Sequence, residues 1–133
     1  HTKAGSYPDL VSTVDVAPTI LAGCNAKIPA GISGVSLLET AAGKGALKRE
    51  AVFGEIYLHT ALKLEDPATN LTHRWVRSGK WKLIVPLKEG QKSELFDIST
   101  DPHEKTNLFE KNPTEAVQLK KLLDDSWKGW EKK

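Results

Sequence analysis

Hydrophobic positions recur along this chain with two different periods, and the change falls near residue 51. From Val11 to Gly23, the residues Val14, Ala17, Ile20 and Leu21 repeat at helical spacing. Ser12 or Asp15 can cap that helix, Pro18 falls in its first turn where a missing N–H costs little, and Gly23 is a stop. A loop with Pro29, Gly31 and Gly34 follows. Ser36-Leu37-Leu38-Glu39 then has the form of a capping box opening a short helix that ends near Gly43 or Gly45. From Ala51 the pattern is strand-like. Val52, Phe53, Ile56 and Tyr57 suggest one strand over 51–58, and 60–71 reads as a loop. Thr72–Arg77 and Lys80–Leu87 are two short runs about Ser78-Gly79, which predicts a tight hairpin. Lys88-Glu89-Gly90-Gln91 is a second turn, and Glu94–Ile98 a further strand.

The chain closes in helical grammar. Asp101-Pro102-His103-Glu104 and Asn112-Pro113-Thr114-Glu115 each set a capping residue before Pro, with Glu following. After the second, Ala116, Leu119, Leu122, Leu123, Trp127 and Trp130 form one apolar stripe. The expected fold class is α+β. A small antiparallel β-sheet of about four strands carries a long C-terminal helix packed on it, preceded by a helical segment.

Composition narrows the function. The 133 residues are 39% hydrophobic and 27% charged, which suits a folded globular chain. Nineteen basic and seventeen acidic residues give a net charge of +2, spread along the chain, so no nucleic-acid partner is expected. No apolar stretch is long enough to span a membrane, and no export signal is present in this stretch. The single cysteine, Cys24, excludes an internal disulfide and a cysteine-rich zinc site. Near a helix end, Cys24 reads as a small buried residue. His1, His59, His73 and His103 lack metal-hydrolase spacing.

Carboxylates cluster at Glu65-Asp66, at Asp97 with Asp101 and Glu104, and at Asp124-Asp125. None has calcium-loop spacing. Asp101 and Glu104 read as helix caps, and Asp124-Asp125 as a solvated helix face. The densest feature is His73-Arg74-Trp75-Val76-Arg77-Ser78-Gly79-Lys80-Trp81-Lys82. It has two readings. A polyanion could lie along the basic and aromatic side chains. Alternatively, the hairpin buries Trp75 and Trp81 and solvates its charges, with Trp75 and Arg77 on one face and Arg74 and Val76 on the other. Asn70-Leu71-Thr72 is a formal glycosylation sequon.

Taken in order, these features resemble the end of the sulfatase family, of the arylsulfatase and alkaline-phosphatase-like type. The likeness lies in Asp15-Val16-Ala17-Pro18-Thr19-Ile20-Leu21, the loop Ile28–Leu38, Phe53-Gly54-Glu55, Arg74-Trp75-Val76-Arg77 and Lys80-Trp81-Lys82-Leu83-Ile84. It continues through Glu94-Leu95-Phe96-Asp97-Ile98, Asp101-Pro102-His103-Glu104 and Asn107-Leu108. The resemblance implies that 1–50 is the tail end of an α/β catalytic domain and 51–133 the C-terminal subdomain. It implies a parent that hydrolyses sulfuric esters with a formylglycine nucleophile and a divalent cation, usually calcium.

Neither cofactor is expected in this chain. Cys24-Asn25-Ala26-Lys27-Ile28 lacks the Pro and Arg that follow the family's nucleophile, and no Asp-Asn or Asp-His pair occurs. No catalytic or metal residue is therefore assigned. The chain alone is expected to be an inactive fragment serving as scaffold and substrate-pocket wall. His59, His73 and Arg74 are the candidates to meet a sulfated small molecule or sulfated sugar. The implied partners are that substrate and the rest of the catalytic domain. A dimer through apolar surface of 12–22 is a further expectation, as is a periplasmic or extracellular parent. The competing readings are a non-catalytic module binding polyanion or sulfated polysaccharide through 73–82, and a purely structural domain of an inactive relative.

Overall fold

A computed structural model describes residues 4–60 and 62–126. It divides the chain into two compact units, His1–Val52 and Phe53–Lys133.

In the first unit a single turn of tight helix, Thr13–Asp15, runs into α1 (Val16–Gly23). Pro18 is the third residue of α1 and is buried. The stop is set beyond Gly23. Asn25 takes a left-handed conformation with φ 54°, its N–H bonds to Ala22 O, and Ala26 N–H bonds to Leu21 O. Two such crossed bonds close a helix end, and a short polar side chain tolerates the backbone that they require. The next helix, α2 (Leu38–Ala41), ends the same way on Gly43, with φ 71° and bonds from Gly43 N to Thr40 O and Lys44 N to Glu39 O. The expected capping box at Ser36 is corrected. Leu37 occupies the cap, and Ser36 Oγ accepts the N–H of Leu38 two residues on. Cys24 is also corrected, because it is exposed at the end of α1 where the chain turns away. The stripe Val14, Ala17 and Ile20 is exposed as well, while Asp15 and Pro18 are buried.

In the second unit four strands lie in the order β1-β2-β3-β4: β1 (Ala51–Tyr57), β2 (Leu71–Ser78), β3 (Trp81–Pro86) and β4 (Glu94–Asp97). The sheet is antiparallel. The β2–β3 hairpin turns on Gly79-Lys80, one residue later than expected, because Ser78 pairs with Trp81. Gly79 supplies φ 53°, which a two-residue turn demands and serine resists. One cross-strand row, Val76–Leu83–Leu95, is fully buried at 0% exposure in each residue. Onto that face packs α3 (Pro113–Ser126), through Ala116, Leu119 and Leu123 at helical spacing. Each of the two leucines contributes roughly 1.5–3 kcal/mol of burial. Trp127 and Trp130 lie outside the described residues. The outer edge of β4 is covered by 107–108, where Leu108 N–H bonds to Leu95 O and Asn107 Oδ1 accepts the Leu95 N–H. A covered edge cannot template further strands.

Asp101 and Glu104 do not cap a helix. Residues 101–106 form a turn in which Asp101 Oδ2 accepts the N–H groups of Lys105 and Thr106, both at 2.8 Å. Glu104 sits at φ 55°, which no helix tolerates, and both its carboxylate oxygens bond to Lys82 Nζ, at 2.7 and 2.9 Å. A cross-strand lysine that local pattern cannot reveal decides this turn.

Candidate functional site

In the first unit the polar centre is Asp15. Its carboxylate accepts the N–H of Ser12 at 2.8 Å and of Val35 at 2.9 Å, and receives both arms of Arg49 at 2.6 Å each. Arg49 also donates to Leu10 O, and Asp9 Oδ1 accepts the Leu47 N–H. The Arg49 hydrogen bond is the first cause holding the Asp15 carboxyl well below the usual carboxylate range. The two backbone N–H groups add to it against the opposing effect of burial. Thr19 completes the arrangement, its Oγ1 donating to Asp15 O at 2.6 Å and accepting the Leu37 N–H at 3.0 Å. The spacing Asp15–Pro18–Thr19 is therefore a clamp holding loop 34–37 against the helix start. Every acceptor on Asp15 is engaged, so it serves architecture rather than a ligand. Sequence reasoning found Asp15 as a cap and missed Arg49, whose signal would have been a lone Arg facing a lone buried Asp.

In the second unit the candidate ligand contacts fall on different faces. His73 lies on β2 with Trp75 and Arg77, and Arg74 lies on the opposite face with Val76. Arg74 reaches α3, where its guanidinium donates to Leu123 O and pairs with Asp124 at 3.3 Å. Asp124, expected as solvated surface, is held by Lys120 at 2.6 Å and by Arg74, and both lower its pKa, Lys120 the more. His73 and Arg74 therefore cannot meet one ligand from one side of the sheet. His73 Nδ1 lies 3.0 Å from Thr72 Oγ1, which in turn donates to Ile56 O. His59 is exposed, beyond the end of β1.

The face bearing His73 is organised about Trp75. A Cβ on Gly54 would sit 2.5 Å from the Trp75 ring, so only glycine lets the indole lie over β1. Lys82 Nζ stands 5.7 Å from the ring centre on its way to Glu104. On that same face Arg77 has its Nε enclosed without a hydrogen-bond partner among the described residues. At the hairpin tip Lys80 bonds to Asp97 at 2.7 Å and lies over Trp81. That bond, then Ser99, lowers the Asp97 carboxyl below its ordinary value. The expectation that the hairpin solvates its charges holds for Lys80, whose side chain is 53% exposed, but the charges are also paired. Arg74, Lys80 and Lys82 are each spoken for by α3, Asp97 and Glu104. Trp75 and Trp81 are half-buried rather than core.

Among the described residues no three or more His, Cys, Asp or Glu side chains converge as a metal site. Cys24 stands exposed at a helix end with Asn25 and Ala26 after it, so the residues here do not fit a formylglycine nucleophile. No helix among them is long and apolar enough to cross a membrane.

A family model described as N-sulphoglucosamine sulphohydrolase, C-terminal, matches residues 1–128. The chain belongs to the sulfatase family. It is 32% identical over 134 residues to an N-acetylglucosamine-6-O-sulfatase of Bacteroides thetaiotaomicron, covering 95% of this chain and 23% of that protein. It is 31% identical to arylsulfatase K of Rattus norvegicus, over 87% of this chain and 21% of that protein. One solved structure, in complex with its substrate D-glucosamine-2-N,6-O-disulfate, superposes with a TM-score of 0.68 and 26% identity, over 86% of this chain and 23% of that one. Another, described as a 2-O GAG sulfatase, gives a TM-score of 0.69 at 29% identity, over 84% and 23%. The sulfatase chain thus spans about a quarter of the length of these relatives, in their C-terminal part. The α+β fold expected from the sequence is the fold of that part.

Proposed function

We propose that this chain is the C-terminal portion of an enzyme that hydrolyses sulfate esters of sugars. The observation that carries the reading is the family match over 1–128, shared with relatives whose names specify sulfated glucosamine. In this reading residues 1–50 close the catalytic domain and 51–133 form its C-terminal subdomain. The formylglycine and the divalent cation, calcium in the family's usual form, lie in the remaining three-quarters of the enzyme. They would supply the nucleophile and hold developing negative charge. These 133 residues contribute scaffold and one wall of the substrate pocket.

His59 and His73 are the proposed substrate contacts. Arg77 lies on the same face of β2 as His73, four residues further along, and its enclosed Nε, without a hydrogen-bond partner among the described residues, supports a ligand-facing role for this side of the sheet. Arg74 belongs to the same original trio, and its engagement with α3 makes its effect on a substrate indirect. The partner of the chain is the catalytic domain, and the exposed Val14, Val16 and Ile20 supply apolar surface for it. A periplasmic or extracellular location fits an enzyme acting on sulfated glycans.

The test compares the full-length enzyme with this chain alone on glucosamine 6-O-sulfate and on an aryl sulfate. Hydrolysis by the full-length enzyme only is expected. Hydrolysis by the isolated chain, or none by the full-length enzyme on any sulfate ester, overturns the reading.

A further inference from the structure

The segment after β1 carries His59 and exposes two leucines, Leu62 and Leu64, the latter at 88%. Such a segment has little apolar packing of its own to hold it. It is held instead from below. Asn70, the residue before β2, is buried at 6% exposure. Its Oδ1 accepts the Leu62 N–H at 2.6 Å, its Nδ2 donates to Lys63 O at 3.1 Å, and its backbone carbonyl accepts the Leu58 N–H at 2.8 Å. Only one orientation of the amide satisfies both side-chain bonds, because the oxygen must face an N–H and the nitrogen a carbonyl. Leu58 and Leu62 bracket His59, so three bonds from one buried residue fix both sides of it.

We propose that Asn70 is the latch that holds the His59-bearing segment, and so a positioning residue for substrate. The second half rests on the pocket-wall reading above, while the latch itself does not. The same geometry closes the sequon Asn70-Leu71-Thr72. The Nδ2 that would carry a glycan is inside the fold and already donating, so a glycan and the latched segment exclude one another.

The experiment has two readouts. In this chain, Asn70→Ala is compared with wild type by amide exchange at Leu62 and by tryptic cleavage after Lys63. Amide exchange at Val76 and Leu83 monitors the sheet. The latch predicts at least tenfold faster cleavage and loss of Leu62 protection, with Val76 and Leu83 unchanged. Unchanged cleavage and protection with an intact sheet overturns it. Should the alanine variant fail to fold, Asn70→Asp keeps the acceptor for Leu62 and removes the donor to Lys63. It must then expose Lys63 while protecting Leu62, and equal protection of both sides overturns the latch. In the full-length enzyme the same variant is expected to raise KM about tenfold with kcat within twofold. An opened segment with unaltered KM keeps the latch and overturns the positioning role.

Discussion

The Arg49 guanidinium meets the Asp15 carboxylate with both arms at 2.6 Å, across 34 residues of sequence, and Asp15 is fully shielded from water. Removing one partner leaves the other charged and buried, which costs about 3–5 kcal/mol. Arg49→Ala is therefore expected to lower the unfolding midpoint of the first unit far more than a surface substitution would. The pair also sets an acid dependence. The folded carboxyl titrates below its unfolded value of about 3.9, so its contribution is complete above that value and is lost as pH falls below it. Denaturant unfolding from pH 7 down to pH 2 should show a steeper acid loss in wild type than in Asp15→Asn. Identical acid limbs would refute the assignment.

Gly34 is the second support of that clamp. Its φ is +88°, and a Cβ there would lie 2.3 Å from Val14 O, a backbone atom that cannot swing aside. Gly34→Ala is expected to destabilise by about 1–3 kcal/mol, from strained backbone and the clash together. Chemical denaturation measures it, and a change under ~0.5 kcal/mol would count against the close approach.

Gly54 makes the corresponding prediction in the second unit. Gly54→Ala forces the Trp75 ring from its place over β1 and away from Lys82. A changed near-ultraviolet dichroism band with far-ultraviolet signal retained is the expected outcome. The cost is of the order of 1–3 kcal/mol. A near-ultraviolet spectrum identical to wild type would show that the ring does not depend on this glycine.

Arg74 and His73 should separate in kind. Arg74→Ala removes a donor to Leu123 O and the partner of Asp124, and is expected to lower stability by about 1–3 kcal/mol. His73→Ala removes the side-chain bond to Thr72 and should leave stability within ~0.5 kcal/mol while raising KM of the full-length enzyme. Thermal unfolding and steady-state kinetics on the two variants decide it. Equal loss of stability in both would remove the distinction between the faces.

Local pattern in the sequence was enough for the four strands and for α3. Period two over 51–98 and period three to four over 116–123 place the strands and α3, because alternation and helical stripes are properties of neighbouring residues. The grouping of faces followed too, Trp75 with Arg77 and Arg74 with Val76, but not which face is inside, since Val76 is buried and Trp75 only half-buried. The order of the motifs was enough for the family. What pattern could not contain was the choice of distant partner. Asp15 has the form of a cap and is one end of an ion pair with Arg49. Asp101 and Glu104 have the form of caps and instead form a turn that Lys82 locks. Asn70 has the form of a sequon and lies buried, holding Leu62 and Lys63. In each case a short polar side chain has several local options of nearly equal free energy. A bond to a residue beyond that local window, 7 residues away at Asn70, 22 at Glu104 and 34 at Asp15, is worth more than any of them and selects one.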